Sequence, residues 1–363
     1  MKDHTKDRKL KKLPMEYLWD GLVLSDNIYN YNGTVLLIPS GEVITEARLL
    51  RLANFNSGNK CITTYNDSYE IIMSGKDAPE EVRQRILENQ SGYTGLRLNV
   101  DRMLQMTRNA TRLKASEVES VMSDVFEKLY EIAPQDIFQC IDVPRPMDEK
   151  LQRHCLNVAF LNGLMGQWMH LGDDEIRMLV MTGVLHDVGK TKIPEEILYA
   201  PRKLKPEEFE IMKLHPVYSY RLLGNEIQEE VRVAVLHHHE KLNGNGYPDG
   251  IAGDQITFFT RITAITDVYD AMVSERSYKE AKMPLDVLEE FAQERFEGLD
   301  TELVKIFVFH MIKFYKGRET SMSDGTTGKI AYIPPNDICH PIVATKNRVK
   351  QTDDEWYCVR LAR

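Results

Sequence analysis

Residues 176–190 read IRMLVMTGVLHDVGK. An apolar helical run closes here on His186-Asp187, and Gly189 stands just beyond it as a stop signal. An adjacent imidazole and carboxylate at a helix end can present a nitrogen and an oxygen to one ion. Taken alone such a pair is weak evidence for a site, so its surroundings decide.

Outward from this stretch, residues 142 to about 316 form a series of apolar-periodic helices. Breaks fall at Gly172, Gly189, Pro194, Pro206, Gly224, Gly244 to Pro248, and Pro284. The fold class expected is mainly α, with an all-helical bundle here. Most of the histidines lie in this bundle, interleaved with carboxylates. His154 shares a stripe with Val158, Leu161 and Met165 and so points toward the core. His215 precedes Pro216 at a helix break. In His237-His238-His239, His238 falls on the seam of Val231, Val235 and Leu242, and His239 lies about 100° further round. His237 shares a face with Glu230 and Lys241 and is placed outside the site. Asp267 and Asp270, three residues apart, occupy one helix face with Thr263.

A single core histidine is more often a hydrogen-bonded structural residue than a ligand, but this clustering is far from random scatter. Imidazole and carboxylate without thiolate suit iron, manganese or another first-row divalent ion better than a structural zinc site. A bridging carboxylate would hold two ions. Two ions about 3.5–4 Å apart acidify a shared water and clamp the attacking and leaving oxygens of a phosphoryl group, so the chemistry expected is phosphoester hydrolysis.

The flanks have a different texture. Residues 1–75 form a small N-terminal β-rich domain, a candidate for regulatory input. Its β-like runs are Gly21 to Leu24, Thr34 to Ile38 after a turn at Asn32-Gly33, and Cys61 to Tyr65, with one short helix capped by Thr45. Residues 76–141 form a helical connector with Val82, Ile86, Met103, Met106, Leu113, Val118, Val121, Val125 and Leu129 at helical spacing. That stripe fits a core or a homodimer seam equally. Residues 142–318 carry the bundle, and residues 319–363 form a C-terminal β extension with runs at Lys329 to Ile333, Pro341 to Ala344 and Trp356 to Leu361.

The 363 residues are 42% hydrophobic and 28% charged, an ordinary globular composition. A net charge of -9 argues against a whole-molecule electrostatic grip on nucleic acid or an anionic membrane, so any phosphate site must be local. The five cysteines, at positions 61, 140, 155, 339 and 358, are scattered and form no C-x-x-C pair, which fits free thiols in a cytoplasm. Met1 to Lys12 carry six basic groups but no following signal-peptide core, and are expected to form a solvated, frayed tail. No run approaches the ~20 apolar residues that span a bilayer.

The ligand order His154, His186-Asp187, Asp267 resembles that of the HD-superfamily metal-dependent phosphohydrolases. The added signatures His186-Asp187-Val188-Gly189-Lys190, His215-Pro216, and His238-His239-Glu240 leading to Asn243-Gly244-Asn245-Gly246-Tyr247-Pro248 resemble the HD-GYP family. The resemblance implies a phosphodiesterase that hydrolyses cyclic di-GMP to linear pGpG, GMP or both, by attack of a metal-bridging hydroxide. It implies metal ligands at His154, His186, Asp187, His215, His238, His239 and Asp267, with Asp187 and Lys190 catalytic and Lys190 facing the phosphate. Arg276 and Lys279, in Ser274-Glu275-Arg276-Ser277-Tyr278-Lys279, would clamp substrate phosphate, and Tyr247 would contact substrate. The Gly246-Tyr247-Pro248 loop would meet a diguanylate cyclase-type partner.

Two positions depart from the family pattern. Asn243 replaces the usual Asp before the loop, keeping a turn-forming side chain without its charge. Lys150 stands one turn before His154, where some members supply a Glu to a third metal, and Glu149 points about 100° away. Two metals are therefore expected rather than three. Competing readings are a non-catalytic cyclic di-GMP sensor, disfavoured because no ligand position is lost, and hydrolysis of another cyclic dinucleotide.

Overall fold

The computed structural model describes residues 10–15, 18, 22–30, 32–55, 61–65, 80–132, 137, 141, 150–274, 282–346 and 348–361. It divides the chain into two units, Met1–Arg85 with Phe309–Arg363, and Ile86–Val308.

In the first unit, β1 (Leu10–Pro14) runs antiparallel to β4 (Cys61–Tyr65), with Leu10 opposite Tyr65 and Pro14 opposite Cys61. Leu10, Lys11 and Lys12, expected in a frayed tail, are thus paired in a two-stranded ladder. β2 (Ile28–Tyr29) pairs with β3 (Leu36–Ile38) across a turn in which Gly33 has φ +69°, a conformation that favours glycine. α1 (Glu46–Phe55) buries Leu49 and Leu52. The C-terminal segment contributes β5 (Glu319–Met322), β6 (Thr327–Tyr332), β7 (Ile342–Thr345), β8 (Val349–Gln351) and β9 (Cys358–Leu361), an antiparallel sheet in the order β8-β7-β6-β5-β9.

The two ends of the chain share one core. Met15, Leu18, Leu22, Leu24, Ile28, Leu37, Ile38, Ile44, Leu49 and Leu52 pack with Ala331, Tyr332, Ile342, Ala344 and Val349. The segments read as two in the sequence therefore meet as one, because β6 and β7 are buried along nearly their whole length and α1 packs against the sheet.

The second unit is helical. The connector supplies α2 (Glu80–Asn109, within which the unit boundary falls) and α3 (Ala115–Glu131). Met103, Leu113, Val118, Val121, Val125 and Leu129 are buried and Met106 is exposed, so most of the connector stripe is core of this chain. The bundle follows: α4 (Lys150–Trp168), α5 (Asp173–Leu185), a 3-10 turn (Val188–Lys192), α6 (Glu195–Leu198), α7 (Pro206–Met212), α8 (His215–Leu222), α9 (Glu229–His237), α10 (Phe258–Val273), α11 (Pro284–Ala292) and α12 (Thr301–Tyr315, within which the other unit boundary falls). Two glycines let backbones touch where the site is built. A Cβ on Gly183 of α5 would sit 2.4 Å from Ala159 Cα of α4, and one on Gly189 would sit 2.1 Å from the carbonyl oxygen of His215. Among the described residues, no helix is long and apolar enough to cross a membrane.

Candidate metal centre

Helix ends aim most of the site. α4 presents His154 from its first turns, His186 caps the C-terminus of α5, and Asp187 opens the 3-10 turn. His215 begins α8, where Pro216 costs no hydrogen bond in the first turn. His238 caps α9, His239 follows it, and Asp267 projects from the middle of α10. Two groups of potential ligand atoms result: His154, His186 and Asp187, and His215, His238 and His239.

Asp187 lies between them. Its Oδ2 is 3.3 Å from Nε2 of both His154 and His186, while its Oδ1 is 3.1 Å from His215 Nε2 and 3.9 Å from His238 Nε2. Asp267 joins the first group, with Oδ1 3.0 Å from His154 Nε2. The seven positions expected as ligands are thus within one constellation.

The tautomers follow from the outer hydrogen bonds. Nδ1 of His186, His215 and His238 donates to the carbonyl oxygens of Gly183, Met212 and Val235 at 2.7–2.8 Å. Nδ1 of His154 donates to Asp270 Oδ2 at 2.7 Å. With Nδ1 taken, each ring turns its Nε2 inward, as a lone pair wherever the ring is neutral. Inward they meet other ring nitrogens: His186 Nε2 is 3.2 Å from His154 Nε2, and His215 Nε2 is 3.3 and 3.2 Å from Nε2 of His238 and His239. Asp187 Oδ1 is buried without a hydrogen-bond partner. Lone pairs converging on lone pairs around an unsatisfied buried carboxylate oxygen fit divalent cations, which supply the charge such a set lacks.

The electrostatics agree with two unlike halves. Burial pushes the His215, His238 and His239 imidazoles down, His239 to about 3, which keeps them neutral as metal ligands must be. Burial opposes charge at His154 too, but hydrogen bonds with Asp187, Asp267 and Asp270 hold it well above the usual histidine value. Burial also works against the carboxylates, yet Lys190 and His186 hold Asp187, and His154 holds Asp267, well below the usual range. Lys190 Nζ lies 2.5 Å from Asp187 Oδ2. The neighbouring Cys155 thiol is pushed up by burial and stays protonated.

The family model of the HD domain matches residues 142–303. This segment is thus similar to HD domains. Its sequence resembles the cyclic di-GMP phosphodiesterase response regulator RpfG of Xanthomonas campestris pv. campestris, 42% identical over 127 residues, 34% of each chain. It also resembles the 3'3'-cGAMP-specific phosphodiesterase 2 of Vibrio cholerae, 34% identical over 169 residues, 46% of this chain and 31% of the relative. The chain thus spans about a third of the length of these relatives. In fold it resembles an HDG"Y"P protein from Bdellovibrio bacteriovorus, with a TM-score of 0.51 at 15% identity over 84% of this chain and 99% of that one.

Around the candidate ligands, the loop after α9 is held by Glu240, whose Oε1 accepts from the backbone N–H groups of Asp249 and Gly250 at 2.7 and 2.9 Å. The loop passes so close to Glu240 that a Cβ on Gly246 would sit 2.4 Å from Glu240 Cα. Asn243 Oδ1 accepts from Asn245 N–H at 3.1 Å, the turn bond its side chain was expected to keep. The Tyr247 ring lies over His239, centroids 4.7 Å apart. His237 faces away and pairs with Asp249 at 2.9 Å. Arg276 and Lys279 lie outside the described residues, as do Glu149 and the side chain of Lys150.

Three supporting residues went unselected in the sequence. Asp270 orients His154. Ser219 Oγ accepts from Gly189 N–H and donates to the His186 carbonyl oxygen, both at 2.8 Å. Glu240 pins the loop. Asp270 had a visible signal in its place on the Asp267 face, and Glu240 one in the His238-His239-Glu240 run; Ser219 had none.

Proposed function

We propose that the chain is a metal-dependent phosphodiesterase hydrolysing cyclic di-GMP to linear pGpG, GMP or both. The observation that carries this reading is Asp187, whose two oxygens face separate imidazole sets. His154, His186, Asp187 and Asp267 would hold one ion, and Asp187, His215, His238 and His239 a second. Iron or manganese suits this nitrogen and oxygen set, beside which the Cys155 thiol is protonated. Bound there, two divalent ions would polarise phosphoryl oxygens and acidify water at neutral pH.

The chain's own groups do the rest. Lys190, half held by Asp187 and partly exposed, is a cation beside the position a phosphate would take. Tyr247 covers His239 with an aromatic face on which a nucleobase can stack. Arg276 and Lys279 would clamp phosphate oxygens, Arg by its planar fork. The named activity of RpfG supports cyclic di-GMP as substrate, and that of the Vibrio relative supports a second reading, 3'3'-cGAMP.

The test incubates anaerobically purified, metal-analysed protein with each cyclic dinucleotide and resolves the products by chromatography. Linear pGpG or GMP from cyclic di-GMP is expected. Faster turnover of 3'3'-cGAMP moves the assignment to the second substrate, and tight binding without product from either makes the chain a sensor.

A further inference from the structure

A buried hydrogen-bond relay runs from the candidate metal centre to the connector helix α2. Asp270 Oδ2 accepts from His154 Nδ1 and Asp270 Oδ1 accepts from Asn157 Nδ2, each at 2.7 Å. Asn157 Oδ1 in turn accepts from the hydroxyl of Tyr93 on α2. Tyr93, Asn157 and Asp270 are at most 1% exposed.

The directions of these bonds are fixed. The Asp270 carboxylate offers acceptors only, so it takes the amino group of Asn157 and leaves the amide oxygen for Tyr93. A reversed amide would set oxygen against oxygen. Without the Tyr93 hydroxyl, Asn157 Oδ1 becomes a buried acceptor with no donor, and the amide gains by rotating away from Asp270. The Tyr93 ring cannot easily follow, being stacked on Phe160 at 25° between planes. A second tie between the same helices, Gln152 Nε2 to Asp101 Oδ1, falls two residues before His154.

His154 also differs from the other ligands in what orients it. His186, His215 and His238 each anchor Nδ1 on a backbone carbonyl of their own helix or turn, three residues back. His154 relies on a side chain from α10, itself held by a side chain from α4 and, through it, one from α2. Its orientation therefore depends on how three helices sit together.

We infer that Tyr93 is a positioning residue for the first ligand group, acting through Asn157 and Asp270 on the imidazole of His154, so that the placement of α2 sets ion affinity there. The inference rests on the metal reading above. It gives the connector a route to the centre that leaves the His215, His238 and His239 group untouched.

The test strips the full chain of metal and titrates Mn2+ against a fluorescent chelator, with His154→Ala and His238→Ala marking which affinity belongs to which group. Tyr93→Phe should weaken the first group about tenfold and leave the second unchanged. Asn157→Ala should weaken the first group further, and adding Tyr93→Phe to it should cost nothing more, since both act along one path. If Tyr93→Phe lowers only the unfolding temperature of stripped protein, or weakens both groups alike, Tyr93 is an ordinary core residue and the inference fails. If Tyr93→Phe does not fold, Asn157→Ala alone decides between the same outcomes. Wild-type protein that takes up no Mn2+ overturns the metal reading itself, and the relay's role with it.

Discussion

Asp187 carries opposite demands: it is fully buried, yet held in the charged form by Lys190 and the surrounding imidazoles. Removing it leaves both imidazole sets without their common anion. Asp187→Ala is expected to abolish turnover and to cut bound metal from about two ions per chain to less than one, read by elemental analysis of the purified variant. Lys190→Ala is a contrasting case, because the ammonium touches Asp187 without belonging to either ligand group. Metal content should stay near the wild-type value while turnover falls about 10²-fold. Unchanged turnover would leave Lys190 a mere counter-ion. At this scale the sequence was informative because helical geometry sorts neighbours: His238 and His239 turn inward and His237 pairs with Asp249 outside. Asn157 and Tyr93 were not legible, since an amide and a hydroxyl on apolar helix faces look like any satisfied core polar groups until their partners are known.

Among the elements, the contact between the 3-10 turn and α8 has the least slack. Gly189 leaves no room for a methyl group, which would meet the His215 carbonyl oxygen at 2.1 Å and the Ser219 nitrogen at 2.4 Å, both backbone atoms. Gly189→Ala should therefore destabilise the protein by about 3 kcal/mol, measured by urea denaturation. It should also push His215 away from Asp187, lowering metal content, whereas a surface effect would leave both quantities unchanged. The sequence marked Gly189 as a helix stop, but α5 ends at Leu185 and Gly189 lies inside the 3-10 turn that follows, where its close approach to α8 depends on packing no local pattern encodes. The connector stripe was ambiguous for a related reason. A core face and a dimer seam share one period, and only the burial of Val118, Val125 and Leu129 within this chain, with Leu129 packed over Gly163, separates them.

Across the whole molecule, the feature least visible in the sequence is the shared core of the two chain ends. Strand periodicity reports which face of a strand is apolar, and says nothing of a partner some three hundred residues away. Met15, Leu18, Leu22 and Leu49 would each satisfy a small domain of their own, yet they pack with Tyr332, Ile342 and Val349. Ending the chain after Gly317 removes that whole face. Burial of Tyr332, Ile342 and Val349 alone contributes on the order of 5 kcal/mol. That is comparable to the entire ~5–15 kcal/mol that stabilises a typical domain, so the N-terminal segment should not stay folded without its sheet. Trypsin reports this directly: Arg48 and Arg51 lie on α1 and hydrogen-bond to the Val43 and Leu36 carbonyl oxygens, which protects them while the unit is folded. In the truncated chain both sites should be cut much faster than in the full chain. Metal content should persist, because every proposed ligand lies within residues 86–308. A truncated chain whose α1 resists trypsin as long as the full chain would show that the N-terminal segment holds its core unaided, and the shared core would then be packing without mutual dependence.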